Sequence, residues 1–97
     1  MTIIQELIPL EKESISRGIP IIKASKGEKI LEKVRETNAK NILELGTANG
    51  YSGTILGSKG AELTTIEQSI PAAREAAINF NNHNIKAKVI IGDGVEE

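Results

Sequence analysis

The stretch Asn41-Ile42-Leu43-Glu44-Leu45-Gly46-Thr47-Ala48-Asn49-Gly50-Tyr51-Ser52 constrains this chain more than any other. A short apolar run contains one acidic residue, and small residues then stand at alternate positions: Gly46, Ala48 and Gly50. The pattern reads as a buried strand entering a tight turn, where glycines let the backbone come close to a ligand.

The flanking sequence alternates between strand and helix. Residues 40–45 form the first strand. Residues 51–58 have room for a short helix with Tyr51, Ile55 and Leu56 inward, and residues 63–67 make a second strand. Ser69 and Pro71 open a longer helix, in which Ala72, Ala73, Ala76, Ala77 and Phe80 fall at helical spacing. Asn81-Asn82-His83-Asn84 reads as a turn cluster, residues 87–91 as a third strand, and Gly92-Asp93-Gly94 as its exit turn. Upstream, residues 2–16 have helical spacing, with Thr2 as a cap and Pro9 as a kink, and Arg17-Gly18-Ile19-Pro20 is a break. Ile21 and Ile22 continue in extended form. A capping box at Ser25 and Glu28 opens a helix that carries Ile30, Leu31 and Val34 on one stripe and ends at Thr37-Asn38. Strand, helix, strand, helix, strand predicts an α/β fold of parallel βαβ units. Right-handed crossovers then give three parallel strands in the order 3-2-1 with flanking helices. Residues 1–24 read as a helical and extended segment leading into this single domain.

Composition narrows the function classes. The net charge is −1 and aromatics are only Tyr51 and Phe80, so neither a basic patch for phosphates nor a stacking surface for bases is present, and nucleic acid is not expected. No apolar run approaches the roughly 18 residues of a membrane span, so no membrane partner is expected. The absence of cysteine rules out disulfides and thiolate metal sites and agrees with a cytoplasmic location.

Three turns follow three parallel strands and so share the sheet edge at which open α/β folds bind ligands. The first offers bare backbone at Gly46, Thr47, Ala48, Asn49 and Gly50, then a helix start at Tyr51-Ser52 suited to a small carboxylate. The second offers Glu67, 21 residues after Gly46 (46 to 67), with Gln68 behind it; a carboxylate there can accept both hydroxyls of a ribose. The third offers Gly92 and Asp93 to an adenine edge. A nicotinamide dinucleotide site also uses an acid at about this distance, but its G-x-G-x-x-G fingerprint would need glycines at 46, 48 and 51, where this chain has Gly46, Ala48 and Tyr51. Each residue also has a plainer reading. Glu44 either meets the ligand or holds the loop. Ser52 is either a ligand contact or a helix cap, and Asp93 is either an adenine contact or turn chemistry. Tyr51 reads as packing, His83 as a solvated loop residue, and the Lys/Glu pattern of 26–36 as a wet helix face.

These residues resemble the class I S-adenosylmethionine (SAM)-dependent methyltransferases, within them the catechol and caffeoyl-CoA O-methyltransferase group. The resemblance covers residues from about 19 to 97. Glu44 to Ser52 is similar to the group's first motif, Leu63-Thr64-Thr65-Ile66-Glu67 to its second, and Val89-Ile90-Ile91-Gly92-Asp93-Gly94 to its third. Ile21-Ile22 and Lys26-Gly27 resemble the segment at the methionine end of the cofactor. The resemblance implies a Rossmann-like fold of which this chain is the N-terminal half, SAM as cofactor, and Glu44, Gly46, Gly50, Ser52, Glu67 and Asp93 among its contacts. Ala48 departs from the middle glycine common in the wider superfamily, and Gln68 is polar where an apolar residue is frequent. Family members continue with strands four to seven, which carry the acceptor pocket, any catalytic base and the carboxylates for a divalent metal. No catalytic or metal residue is therefore assigned here. Two expectations follow: a SAM-binding half inactive by itself, or a non-catalytic half-domain without ligand binding. In both, the exposed edge of the first strand invites a second copy.

Overall fold

The computed structural model describes residues 1–92 of the 97. In chain order the elements are helices α1 (Ile3–Glu6), α2 (Ile8–Ser16) and α3 (Ala24–Thr37), strand β1 (Asn41–Leu45), helix α4 (Tyr51–Gly57), strand β2 (Glu62–Glu67), helix α5 (Ile70–Asn82) and strand β3 (Ala87–Ile91). The sheet order β1-β2-β3 is the expected 3-2-1 read from the other side, and both pairings are parallel. Among the described residues no helix is long and apolar enough to cross a membrane.

Local chemistry sets most boundaries. Thr2 and Gln5 form a reciprocal capping box on α1. The kink expected at Pro9 is a break at Leu7, with the proline in the first turn of α2, where its missing N–H costs nothing. Ser69 caps α5, accepting the Ala72 N–H. Two boundaries differ from the reading above. Helix α3 begins at Ala24 after Lys23, which makes no side-chain cap, so Ser25 and Glu28 lie inside the helix rather than in a capping box. Helix α5 runs through Asn81 and Asn82, and the turn comes at His83 and at Asn84, which takes the left-handed conformation. Packing of Phe80 into the core carries the helix past residues of poor helix propensity. His83 is also not a free loop residue: its Nδ1 lies 3.0 Å from Glu6 Oε2, tying the end of α5 to α1.

Helices α4 and α5 lie on one face of the sheet. Leu63 packs with Ala76 and Phe80, and Ile42, Ala87, Val89, Leu56 and Ile85 close around them. A second cluster joins Ile4 and Leu7 of the N-terminal segment to Leu31, Tyr51 and Ile55. The register places Leu43 and Leu45 on the opposite face, beside Thr64 and Ile66. Both leucines are 65% exposed, and neither core cluster includes them.

Candidate functional site

Strand β1 hands over to the turn without a gap in the ladder: the Gly46 N–H donates to Ile66 O at 2.8 Å. The next five residues alternate through left-handed conformations, with φ of 82° at Gly46, 49° at Ala48 and 91° at Gly50. Gly46 needs its glycine for φ alone, since a Cβ there would meet nothing within 4 Å. Gly50 needs it for φ and for space: a Cβ would sit 3.2 Å from Ala76 Cα and from Phe80 Cε1, so the turn is pressed against α5. Ala48 adopts the same region with a Cβ, which costs about 1–2 kcal/mol.

That conformation is held by Glu67. At the end of β2, its Oε1 accepts the Ala48 N–H at 2.9 Å and its Oε2 accepts the Ser69 N–H at 2.9 Å. The acid expected to stand beside the glycine turn is thus bonded directly to it. The Ser69 amide above all, with the Ala48, Thr47 and Gln68 amides, holds the carboxyl below its ordinary value against the push of partial burial. Each oxygen keeps a second lone-pair direction, so a charged acceptor remains available to a ligand diol. The third turn arrives at the same place, where the Gly92 N–H donates to Glu67 O at 3.0 Å. Gln68 is exposed next to it. Asp93 lies outside the described residues.

Glu44 faces the helices from β1. Its Oε2 accepts the Ser52 hydroxyl at 2.6 Å and its Oε1 the Thr65 hydroxyl at 2.8 Å. Thr65 has one hydroxyl proton and gives it to Glu44, so in its contact with Thr47 Oγ1 the Thr47 hydroxyl is the donor. Burial pushes the Glu44 carboxyl up, the Ser52 and Thr65 hydroxyls pull it back, and the charge of Glu67 adds a further push up. Glu44 therefore holds loop and strand together, and the proton of Ser52 points at Glu44 rather than into open space.

The candidate residues thus divide by what their side chains do. Thr47 and Asn49 are 1% and 3% exposed and bond to the scaffold, which leaves only their backbone for a ligand. The Asn49 side chain also takes the Tyr51 N–H, one of the free amides at the start of α4. Gly46, Ala48, Asn49, Tyr51 and Ser52 line an open cleft of about 370 Å3, whose far wall is Pro20, Ile21 and Ile22. The segment between α2 and α3 is therefore part of the cleft through Pro20, Ile21 and Ile22. Gly27 is not: it is buried in α3, where a Cβ would come 2.9 Å from Ile55 Cδ1. Reading the sequence missed Ser14, Thr65 and Asn79, which support the turn from behind. A faint signal existed for Ser14, since it lies seven residues, two helical turns, after the buried Leu7.

No family model matches the chain. A protein-L-isoaspartate O-methyltransferase of Xylella fastidiosa (strain M12) is 38% identical over 66 residues, which are 68% of this chain and 31% of that protein. Among solved structures, a candidate caffeoyl-CoA O-methyltransferase from Staphylococcus aureus superposes with a TM-score of 0.81 at 28% identity, over 95% of this chain and 44% of that one. An O-methyltransferase from Bacillus cereus, solved in complex with SAH, superposes with a TM-score of 0.71 at 25% identity, over 96% and 43%. The chain spans about a third of the curated relatives it matches and under half of these structures. Over the part they share, its fold is that of the class I methyltransferases, as the motifs implied, and the three relatives named above are O-methyltransferases.

Proposed function

We propose that this chain is the cofactor-binding part of a SAM-dependent O-methyltransferase. The observation that carries the reading is the junction of Glu67 with the Gly46–Gly50 turn, where a carboxylate held in its charged form stands between the first and second loops. In this reading the remaining lone pairs of Glu67 accept the ribose hydroxyls, the backbone of Gly46, Ala48 and Asn49 meets the methionine portion beside Ile21 and Ile22, and Gln68, Gly92 and Asp93 border the adenine. The support in kind comes from the Bacillus cereus O-methyltransferase solved in complex with SAH. The chemistry of the whole protein would be displacement at the methyl carbon. An acceptor oxygen attacks, the sulfur–methyl bond breaks with its electron pair passing to sulfur, and the acceptor's proton leaves to a base. The part of this chain would be to hold the donor in line for that attack. Because its matches span only part of their relatives, we propose that the chain alone binds SAM and turns over no acceptor.

Calorimetric titration tests the reading. The chain should bind SAM, and Glu67→Ala should weaken binding by about a hundredfold or more, the worth of two hydrogen bonds to a charged acceptor. No heat from the wild-type chain, or equal affinity in the variant, overturns it.

One observation favours a second reading, self-association. Leu43 and Leu45 stand exposed on β1, which is an edge strand of the sheet among the described residues. On that reading two copies pair through this edge or face, and light scattering that reports a monomer at high concentration would sink it.

A further inference from the structure

Directly behind the cleft, one residue of the glycine turn is gripped from two sides. Asn49 is 3% exposed, and its Nδ2 donates to the Ser14 hydroxyl at 2.6 Å. Ser14 is fully buried in α2 and passes its own proton to Leu10 O at 2.7 Å, so its oxygen is fixed as the acceptor. On the other side the Asn79 Nδ2 of α5 donates to Asn49 O at 2.7 Å. The Asn49 Oδ1 meanwhile takes the Tyr51 N–H at 3.3 Å. The grip continues outward in an ion pair between Arg17, which caps the C-terminal end of α2, and Glu75 of α5 at 2.9 Å, about one helical turn from Ser14 and Asn79 respectively. The close approach of Gly50 to Ala76 brings the turn within reach of Asn79.

We infer that Asn49 is the clamp of the cleft and that Ser14 and Asn79 are its positioning residues. The left-handed residues Ala48 and Gly50 flank Asn49, so fixing both its carbonyl and its side chain fixes the peptide planes on either side of it. Those planes carry the backbone groups that line the cleft. The N-terminal segment thereby sets the geometry of the binding turn through Ser14, in addition to supplying the wall at Pro20, Ile21 and Ile22. The ligand named in the test rests on the function proposed above; the clamp itself does not.

The test uses Ser14→Ala and the isosteric Asn79→Asp on the full chain, read by amide hydrogen exchange and by SAM titration well below the melting temperature. Ser14→Ala leaves the buried Asn49 amide without its acceptor, and Asn79→Asp sets a carboxylate against the Asn49 carbonyl. In each, exchange should accelerate in residues 47–51 while β2 stays protected, and SAM affinity should fall about tenfold. Ser14→Ala combined with Asn49→Ala should lose little more than Asn49→Ala alone, because the two act through one bond. Should Ser14→Ala fail to fold, the half-exposed Asn79 still decides. Unchanged exchange in the turn together with unchanged affinity in folded Asn79→Asp overturns the clamp. Faster exchange at 47–51 in variants of a chain that binds no SAM upholds the clamp and removes the proposed function instead.

Discussion

At the turn end of β1, the two faces of the sheet reverse the usual division of labour. On β1 the face under the helices carries Ile42 and Glu44, and the bare face carries Leu43 and Leu45. The covered side encloses a carboxylate with three hydroxyls around it, whereas the open side displays two leucines to water, each 65% exposed. A strand that carries Ile42 and a carboxylate on its packed face and leucines on its bare one approaches the composition of one buried on both faces, as parallel strands normally are. The comparison teaches that burial and hydrophobicity answer to different demands here: polar groups at the turn end of the packed face shape a site, and the leucines lie on the open face.

The sharpest way to break that comparison is to make the same substitution on both faces. Leu63, 1% exposed under Phe80 and Ala76, should cost about 2–5 kcal/mol when changed to Ala, enough to unfold much of a small domain. Leu43→Ala should fall within about 0.5 kcal/mol of wild type. Urea titrations of the two variants check this. A loss of more than about 1 kcal/mol at Leu43 would mean that the open face is covered in solution. The second test works on that face directly. Leu43→Lys with Leu45→Lys puts two like charges in the apolar patch. It should abolish any association seen by light scattering and leave the circular dichroism of the monomer unchanged.

How much of this was legible depended on whether a feature is local. The strand-to-turn run from Asn41 to Ser52 and the proline and serine at the start of α5 declare themselves by spacing and turn chemistry, and the structure follows them. Glu67 could be placed because a strand–helix–strand unit must return its end beside the first turn. What stayed hidden was made by contacts across the chain. Nothing near Asn49 announces Ser14, 35 residues earlier, or Asn79, 30 residues later. Thr65 reads as an ordinary β-branched strand residue until Glu44 and Thr47 are seen beside it. The polar network that converts a glycine turn into a shaped cleft is a property of packing, and a single sequence carries no periodicity for it.

The two carboxylates at the rim supply a third, smaller test, because their titrations have opposite signs. The folded state raises the Glu44 carboxyl above the ordinary value of 4.5, so the stability tied to its protonated form is present below that value and lost as pH rises through the folded one. Glu44→Gln should therefore be more stable than wild type at pH 7, and the gain should vanish in acid. Glu67 is lowered, so its stabilising contribution is present above 4.5 and lost as pH falls through the folded value. Glu67→Gln should be less stable at pH 7, with that deficit also closing in acid. Melting curves at pH 7 and pH 3.5 separate the two. A Glu44→Gln chain destabilised at pH 7 would show that the two hydroxyls bonded to Glu44 outweigh the burial of the charge.

The smallest expected effect lies deep in the packed layer. Thr54 in α4 is fully buried, and its hydroxyl finds no hydrogen-bond partner among the described residues, unlike the polar groups of the neighbouring Glu44 network. An unsatisfied hydroxyl in a core carries its desolvation cost without return, and valine has nearly the same shape and a similar helix propensity. Thr54→Val should therefore raise stability by about 1 kcal/mol. The comparison of faces makes this a pointed measurement. If the packed side tolerates polar groups only where they shape the cleft, Thr54 is the one that does not, and removing it should leave SAM affinity unchanged. A variant that melts lower, or that binds SAM more weakly, would place the Thr54 hydroxyl in the same network as Thr47 and Thr65 and would extend the polar half of the packed face one helical turn deeper than the hydrogen bonds now reach.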